Sequence, residues 1–576
     1  MLSKFISLLL SFVMSVTGFF TTSFSNIVDT LSEMFFGIPY TVEAVKSDFF
    51  NELSDSDVVE INGDRGYIKN KIAVFLDDQL NFSKRVNLFA NCGGILVGWC
   101  APSDLYVISY PSMSYDQILS KCEELDKTEG VELSVPVLAY KTELNSSPDD
   151  DFGSNEEFPI EWDEIVPDGN NWWLEAIDAR QAWDYSDCFS KINIGVLDSG
   201  FDTNHIELLN KISFPDDKQA DRNRPDLHGT HVAGIISANH NGEGITGVCD
   251  NANLICVDWT PEGFQFWSTD LAIFFGVSKL VKAGAKVVNL SLGTSGSKAS
   301  NSSSFIERVF ETAATSYMMA SLLSKGYDFI VVQSAGNGDM FGDPVNAINN
   351  GHFCSLNSGN IFVGSKNIST DDILNRIIIV SSVSNNRDGT FTQSEFSNVG
   401  NNISVAAPGE DIYSCSVDGT YEILSGTSMS SPIVTGVASL VWSVNPSFTG
   451  EQVKDIVCTS FDSVAQIYTG SEYYYDDLEF KEYPVVNAKL AVEEAIKRSD
   501  SSCGSVSGKI IGNADSVVYN GVSHTVYSDG TYSFVSPEGN GTAEIFDKYG
   551  NSIGTFDIIV MAGQTITVDD YNVLSY

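Results

Sequence analysis

Four polar side chains occur at positions from which they could together hydrolyse an amide bond. Asp198 ends the strand-like run INIGVLD, and Asn337 follows the strand-like run DFIVVQS. His228 stands at the start of the helix-like stretch HGTHVAGI, and Ser428 precedes an apolar run typical of a buried helix. Amide hydrolysis needs a nucleophile, a base and a group that orients the base, roles that suit Ser428, His228 and Asp198. The oxyanion needs donors, which the Asn337 amide and the backbone N–H of Ser428 could supply.

Each of these residues also has an ordinary structural interpretation. An aspartate after a strand is frequently a cap or turn residue, and His228 alone could simply begin a helix. His228 and His231 could form half of a metal site, but the glutamate of an HExxH motif is missing. The ten cysteines show no CxxC or Cys/His metal spacing, so we expect no zinc site and mostly buried, unpaired thiols. Only the four residues taken together indicate chemistry.

The elements that must position these residues are predicted between about residue 190 and residue 500. Short, β-branched apolar runs such as INIGVL, KVVNLS and DFIVVQS alternate there with helix-like stretches. Runs of this kind suit strands covered on both faces, which predicts a doubly wound α/β fold with helices on both sides of a mostly parallel sheet. Ligands of such sheets bind at the carboxyl ends of the strands, where Asp198 and Asn337 fall. The helices are predicted over 230–239, 267–283, 305–325, 429–443 and 449–459.

Two further regions flank the α/β pattern. From about 70 to 140, strand-like and helix-like runs follow in the order βαββαβ, which predicts a small ferredoxin-like α+β domain. The acidic stretch NSSPDDDFGSNEEF, 145–158, is interpreted as an exposed linker or a proteolytic boundary. From about 505 onward, short strands with Asp-Gly and Gly-Asn turns predict an all-β sandwich. Its aromatic residues are interpreted as core rather than as a sugar-binding platform: Tyr519, Tyr527, Tyr532 and Phe534.

The start of the chain and its charge restrict where the protein works and what it binds. Lys4 precedes about 16 mostly apolar residues, fewer than the ~20 of a membrane span, so residues 1–22 are predicted to be a cleaved secretory signal rather than an anchor. No later run is long and apolar enough to span a membrane, so we expect an exported, extracellular protein, with attachment to the cell surface left open. With 76 acidic against 32 basic residues, the net charge of −44 argues against nucleic acid or an anionic membrane as a partner.

These motifs together resemble the subtilisin-like serine proteases, the subtilases. The stretches IGVLDSGFD, HGTHVAGI and GTSMSSP carry Asp198, His228 and Ser428 in the chain order of that family. NLSLG and SAGNG, which contain Ser291–Gly293 and Asn337, match two further blocks of the family. The same resemblance therefore covers all the residues singled out for chemistry.

The resemblance, which extends from about residue 171 to residue 497, implies a serine endopeptidase that works through an acyl-enzyme. His228 rather than His231 matches the catalytic histidine, because it is the first histidine of HGTH. Asn337 matches the oxyanion donor. A further matched segment pairs with extended substrate through its backbone, which accepts many sequences and favours broad specificity. That segment is represented here by Ser291, Leu292 and Gly293.

The flanking regions also resemble parts that accompany the catalytic domain in this family. Residues 23–150 resemble a propeptide that acts as an intramolecular inhibitor and is removed by the protease itself, here between about Tyr140 and Ile160. The catalytic domain then covers 151–500, and the tail, 505–576, resembles small β-sandwich modules appended to bacterial secreted enzymes. The expected partners are protein or peptide substrates and the chain's own propeptide, and we expect a monomer without a catalytic cofactor.

Two features leave specificity and metal binding open. An insertion over 338–374 occupies the region that forms the base of the family's specificity pocket, although an uncharged matched rim favours apolar residues before the cut. Glu207 and Asn241 fall near positions that match a common structural calcium site of the family. Oxygen ligands suit Ca²⁺, but both residues could equally be surface polar residues.

Two other functions remain open from the sequence. A secreted or surface-binding protein could retain the subtilase scaffold without catalysis, although such degenerate relatives lose members of the triad and none is missing here. The second alternative is an enzyme restricted to maturing one secreted partner. Cleavage of denatured casein, compared with cleavage of a peptide library, distinguishes that enzyme from a general scavenger.

Overall fold

The computed structural model describes most of the chain from residue 44 onward. The described residues are 44–47, 52–62, 65–141, 171–216, 220, 223–242, 244–259, 267–293, 303–338, 344–386, 390–468 and 480–573. The predicted signal and acidic stretch, and most of the predicted cleavage region, lie outside them. Within the described part, no helix combines the length and the apolar character needed to cross a membrane.

The N-terminal region, 44–141, is an antiparallel sheet with two helices on one face. Its helices are α1 (Phe82–Asn91) and α2 (Tyr115–Leu125). Its strands are β1 (Val45–Lys46), β2 (Val58–Asn62), β3 (Arg65–Leu76), β4 (Ile95–Cys100), β5 (Leu105–Ser109) and β6 (Val131–Lys141). The chain order from β3 to β6 is therefore βαββαβ. In space the strands follow the order β1-β4-β5-β3-β6, and β2 pairs with β3.

The central region, 171–499, is an α/β structure built on a ten-stranded sheet. Its strands are β7 (Ile192–Asp198), β8 (Ile212–Ser213), β9 (Ala252–Asp258), β10 (Trp267–Thr269), β11 (Val287–Leu290), β12 (Ile330–Ser334), β13 (Ile377–Asn385), β14 (Phe391–Gln393), β15 (Val405–Pro408), β16 (Ile412–Cys415), β17 (Tyr421–Leu424), β18 (Val464–Tyr468) and β19 (Phe480–Pro484). Its helices are α3 (Trp172–Ala176), α4 (Ala179–Trp183), α5 (Leu227–Ser237), α6 (Asp270–Lys282), α7 (Ser303–Ser324), α8 (Thr370–Leu374), α9 (Thr427–Val444), α10 (Gly450–Thr459) and α11 (Ala488–Ser499). Strands β16 and β17 form a separate hairpin, and β10 belongs to the N-terminal sheet.

Five neighbouring strands of the large sheet, in the order β9-β7-β11-β12-β13, run parallel. Their apolar runs are buried on both faces, as Val196 and Leu197 show by belonging to the cores on opposite sides of the sheet. The register sets Asn289 opposite Val196 and Leu290 opposite Gln333. The carboxyl ends of β7, β11 and β12 therefore lie side by side along one edge.

The N-terminal sheet is both packed against the central region and extended by it. Alternate residues of β3 face opposite layers, as the two-residue period of a strand requires. Val74 is buried with residues of α1 and α2, whereas Phe75 belongs to a core shared with α6 and α7. Strand β10 pairs antiparallel with the end of β6, with Ser268 opposite Tyr140.

The tail, 503–573, consists of two four-stranded sheets. Its strands are β20 (Cys503–Ile511), β21 (Ser516–Tyr519), β22 (Val522–Thr525), β23 (Thr531–Pro537), β24 (Gly539–Phe546), β25 (Ser552–Val560), β26 (Thr565–Thr567) and β27 (Tyr571–Asn572). Tyr519, Tyr532 and Phe534 are buried in a cluster that continues into the core around α9. Tyr527 lies outside that cluster, and its hydroxyl is 3.2 Å from Nζ of Lys489 in α11. The tail and the central region therefore share one hydrophobic core.

Candidate active site

Asp198 and His228 form a hydrogen-bonded pair at the carboxyl edge of the parallel sheet. Asp198 ends β7 and is only 2% exposed, and its Oδ1 lies 2.7 Å from Nδ1 of His228. His228 is the second residue of α5, and its backbone N–H donates to the side chain of the N-cap residue, Asp226, at 3.0 Å. Gly229, the next residue of α5, lets the helix lie directly against the chain that follows β7, because a Cβ there would lie 1.9 Å from the carbonyl oxygen of Ser199. The carboxylate of Asp198 therefore fixes the orientation of the imidazole.

The surroundings of His228 raise the pKa of its imidazole above the ordinary value. Burial on its own lowers this pKa, because it disfavours the charged ring. The charge of Asp198, the hydrogen bond that Asp198 accepts and the charge of Asp226 together outweigh the effect of burial. The side chain is still 36% exposed, so a group arriving from solvent can reach it.

His231, the second histidine of the same helix, has a different environment. It is fully buried, and its Nε2 lies 3.1 Å from the carbonyl oxygen of Glu422. Burial lowers the pKa of His231 to about 3, so its ring stays neutral at ordinary pH. No group of three or more His, Cys, Asp or Glu residues in the described ranges is placed to hold a metal ion. His231 is therefore part of the packing between α5 and the β16–β17 hairpin.

Ser428 is the second residue of α9 and is joined to the strand end beside Asp198. The register of β11 with β7 brings Ser291 next to Asp198 at the sheet edge. The hydroxyl of Ser291 donates to the carbonyl of Ser428 at 2.7 Å, and the hydroxyl of Ser428 donates to the carbonyl of Ser291 at 3.5 Å. The first bond is possible because Pro432 has no N–H, which leaves the Ser428 carbonyl without its helical donor.

The hydroxyl of Ser428 and the imidazole of His228 lie on the first turns of α9 and α5, two helices that pack against each other. Among the hydrogen bonds formed between described residues, the Ser428 hydroxyl makes its bond to Ser291 and not to His228. Catalytic hydrogen bonds are often long or poorly aligned without substrate and tighten when it binds. The geometry thus joins Asp198 directly to His228, and Ser428 to the neighbouring strand end.

Asn337 lies just beyond β12 and is oriented by the first residue of α9. Its Oδ1 accepts hydrogen bonds from the backbone N–H of Thr427 at 2.9 Å and from the hydroxyl of Thr427 at 2.8 Å. Because these donors fix the oxygen, Nδ2 is the atom left to serve a ligand. Nδ2 lies 3.1 Å from the position that a Cβ on Gly426 would occupy, so it faces the start of α9, where Ser428 stands.

The segment 291–293 continues β11 past its last strand residue. Ser291 is buried, and Gly293 is exposed at the surface. The carbonyl oxygen of Leu292 accepts a hydrogen bond from Nε2 of Gln333 at 3.2 Å, which ties the segment to β12. The predicted substrate segment therefore leaves the sheet directly beside the predicted nucleophile.

Glu207 and Asn241 lie together, and the described contacts of the Glu207 carboxylate are with protein donors. Nδ2 of Asn241 donates to Oε2 of Glu207 at 3.0 Å, and the hydroxyl of Tyr421 donates to Oε1 at 3.0 Å. Calcium takes six to eight oxygen ligands, whereas here an amide nitrogen and a hydroxyl proton face the carboxylate. The fully buried carboxylate is thus satisfied by protein donors. Calcium binding by these two residues stays a prediction from the sequence.

Two residues that shape the site were not predicted from the sequence. Asp226 supplies both the helix cap and a charge near His228, and its position directly before a helix-like run is a recognisable N-cap signal. Thr427 orients Asn337 through two hydrogen bonds across 90 residues of sequence. No local pattern identifies that contact, because it depends on how α9 meets β12.

Comparison with known proteins places the central region in a defined family. Residues 190–488 match the model of the subtilase family. Subtilisin NAT of Bacillus subtilis subsp. natto is 29% identical over 291 residues, which cover 50% of this chain and 63% of that protein. Thermitase of Thermoactinomyces vulgaris is 31% identical over 273 residues, which cover 46% of this chain and 80% of thermitase. The chain thus spans less than two thirds of the length of the subtilisin that it matches.

A solved structure is similar over most of the chain. Fervidolysin from Fervidobacterium pennivorans, described as a keratinolytic enzyme related to subtilisin, aligns with a TM-score of 0.53. The alignment covers 89% of this chain and 79% of fervidolysin, at 18% sequence identity. At this identity the similarity establishes the fold.

Proposed function

The chain belongs to the subtilase family, and from that premise we propose that it is a serine endopeptidase that hydrolyses peptide bonds through an acyl-enzyme. The observation that supports this most directly is the 2.7 Å hydrogen bond between Asp198 and His228 at the sheet edge that also carries Ser428 and Asn337. One edge then supplies a nucleophile, a base, a carboxylate that orients the base, and an oxyanion donor.

In the proposed acylation step, the hydroxyl oxygen of Ser428 attacks the carbonyl carbon of the peptide bond. Nε2 of His228 takes the hydroxyl proton, and Asp198 holds Nδ1–H and stabilises the imidazolium that forms. The raised pKa of His228 is the expected consequence of that stabilisation. Nδ2 of Asn337 and the backbone N–H of Ser428 donate to the oxyanion.

Breakdown of the tetrahedral intermediate reverses the proton transfer. His228 gives its proton to the leaving amine, so the C–N bond breaks and the acyl group stays on Ser428. Water then attacks the ester with His228 again as base, and the carboxylic acid and the free serine are released. Backbone pairing of substrate with the segment 291–293 would serve many sequences, which supports broad specificity.

We propose further that the N-terminal region is an inhibitory propeptide and that the protein is secreted as a zymogen. Two lysines of the central region, the buried Lys366 and the half-buried Lys325, contact carboxylates of the N-terminal region. Nζ of Lys366 lies 2.8 Å from Asp104 and 3.1 Å from Asp78, and Nζ of Lys325 lies 2.6 Å from Asp104. The hydroxyl of Tyr317 also donates to the carbonyl of a residue at the end of β3. Such buried charges are costly to leave unpaired, so these contacts favour the docked arrangement.

The experiment that tests the proposed function is covalent labelling of the secreted, processed protein with a fluorophosphonate probe. Attachment of the probe at Ser428, found by peptide mass spectrometry, together with hydrolysis of denatured casein, supports the serine endopeptidase. A processed protein that neither labels nor hydrolyses casein contradicts it and favours a non-catalytic binding role. Labelling without casein hydrolysis favours an enzyme that matures one partner.

Asn337→Ala is expected to lower kcat by about 10²–10³ while leaving KM nearly unchanged, a magnitude known for the equivalent change in subtilisin rather than one derived from this structure. The reason is that the Asn337 amide would meet the oxygen mainly after it has become charged. Steady-state kinetics with a chromogenic peptide measure both constants. Asn375→Ala is the matched control, because it removes only a surface hydrogen bond to Glu451. An equal loss in both variants would contradict the oxyanion role.

As the pH is lowered, activity is expected to begin to fall at a higher pH than it would if the base were a histidine of ordinary pKa. His228 must be neutral to accept a proton, it is protonated below its pKa, and that pKa is raised. Asp226→Asn keeps a capping oxygen but removes one source of the rise, so the acidic limb of the kcat/KM profile moves to lower pH. Asp371→Asn makes the same charge change on the exposed first turn of α8 and should leave the limb in place. An unmoved limb in Asp226→Asn would count against His228 as the base.

A further inference from the structure

Two segments leave the sheet edge together beside the nucleophile, and the space between them is here called the crevice. One is the segment 291–293 after β11, which is hydrogen-bonded to Ser428. The other runs from the end of β12 to Asn337, which is held by the first residue of α9. The carbonyl under attack would lie between Ser428 and Asn337. We therefore expect the side chain of the residue that owns that carbonyl to enter the space between these two segments.

The floor of this crevice is Asn350, which comes from the insertion over 338–374. Asn350 is 5% exposed, and its Nδ2 donates to the carbonyl of Ser334, the last residue of β12, at 2.9 Å. Its Oδ1 lies 1.8 Å from the position of a Cβ on Gly293 and 2.8 Å from that of a Cβ on Gly336. The amide of Asn350 thus lies against Gly293 of one segment and Gly336 of the other, two positions that carry no side chain.

The chain segment that carries Asn350 is fixed by hydrogen bonds of the residues that directly follow it. The backbone N–H of Phe353 donates to Oε1 of Gln333 at 3.1 Å, and that of His352 donates to the buried Glu311 at 2.7 Å. In the described contacts no donor to Oδ1 of Asn350 is present, so this oxygen is available to face a ligand. A large apolar side chain of the substrate would have to displace the hydrogen-bonded amide of Asn350. It would also bury Oδ1 of Asn350 without a hydrogen bond, and both changes cost free energy.

We propose that Asn350 is the specificity-determining residue of this enzyme and that it restricts the residue before the cut to small, uncharged side chains such as Gly, Ala or Ser. The inference rests on the proposed function and replaces the sequence-based expectation of apolar residues in general. It assigns a role to the insertion, whose position in the chain does not reveal which of its residues reaches the crevice.

The test uses processed enzyme and a series of peptide p-nitroanilides that differ only in the last residue: Gly, Ala, Ser, Leu and Phe. For the parent enzyme we expect kcat/KM for Ala to exceed that for Phe by at least about tenfold. Asn350→Ala should raise the Phe-to-Ala ratio by about 10–100-fold, since pocket volume of one or a few methylenes changes selectivity by that order. Asn357→Ala, an exposed asparagine of the same insertion, is the matched control and should keep the parent ratio.

The outcomes separate this inference from the proposed function. A parent that prefers Phe, or an Asn350→Ala enzyme with the parent ratio, overturns the role of Asn350 while leaving the endopeptidase intact. A parent that hydrolyses none of the peptides and no casein overturns the endopeptidase, and this inference with it. If Asn350→Ala yields no folded protein, the parent enzyme's preference between Ala and Phe decides. A pocket left deep by Asn350 would accept Phe, so a preference for Phe would overturn the inference.

Discussion

Ser428→Ala is expected to leave the chain uncut and to abolish hydrolysis, with kcat lower by about 10⁶-fold, a magnitude known for removal of the serine in subtilisin. The substitution deletes the attacking oxygen, and the remaining donors cannot form an acyl-enzyme without it. Because the Ser428 hydroxyl makes only a 3.5 Å hydrogen bond to the carbonyl of Ser291, its loss should not disturb the fold. The measurement is mass spectrometry of expressed residues 22–576, which reports processing in the parent and an intact chain in the variant.

Ser430→Ala is the matched control for this experiment. Ser430 lies on the same helix two residues later, is fully buried, and its hydroxyl has no hydrogen-bond partner among the described residues. Its removal therefore costs no hydrogen bond, and processing and hydrolysis should stay at parent levels. Self-cleavage that persists in Ser428→Ala would show that another nucleophile, or another protease, removes the N-terminal region.

Asp198→Asn is expected to lower kcat by about 10⁴-fold, the order seen when the aspartate of a serine protease triad is amidated. Oδ1 of Asp198 accepts from Nδ1 of His228 at 2.7 Å, which leaves Nε2 unprotonated and able to act as base. An amide at this position can instead donate to Nδ1 and so favour the wrong tautomer. Steady-state kinetics on a peptide substrate measure the loss, and rescue at higher pH would accompany it, because hydroxide can replace the base.

Asp258→Asn is the matched control for Asp198→Asn. Asp258 ends β9 directly opposite Asp198 in the parallel register and is 3% exposed, so the two changes are isosteric and equally buried. Asp258 accepts a hydrogen bond from the backbone N–H of Arg224 at 3.3 Å, which an asparagine oxygen can also do. The Asp258→Asn variant should lose far less activity than Asp198→Asn. Equal losses in the two variants would mean that Asp198 affects activity only through the stability of the fold.

Elements with a strong local signal could be predicted from the sequence. Helix α9 was expected over 429–443 and spans Thr427–Val444, because its continuous apolar run fits a helix buried on all sides. Asp198 and Asn337 could be singled out because each follows an apolar strand at the edge where parallel sheets bind ligands. In these cases the signal lies in the residues of the element itself or directly next to it in the sequence.

Features that depend on distant contacts could not be predicted in this way. The helix expected over 267–283 begins only at Asp270, because the three residues before it form β10 and pair with β6 of the N-terminal region. Glu207 and Asn241 lie in contact, and a second donor to the same carboxylate, Tyr421, is 214 residues away from Glu207. Whether a buried carboxylate takes a cation or protein donors is decided by such remote partners.

The shared core of the tail and the central region has a consequence for how the enzyme meets its surroundings. The hydroxyl of Tyr185 donates to Glu493 and accepts from the backbone of Val535, so one buried side chain joins α11 to β23. A module on a flexible linker sweeps a volume whose radius grows with linker length. This tail is instead packed against the central region. A surface bound by the tail would therefore keep a fixed position relative to Ser428, and this position would decide which bonds are within reach.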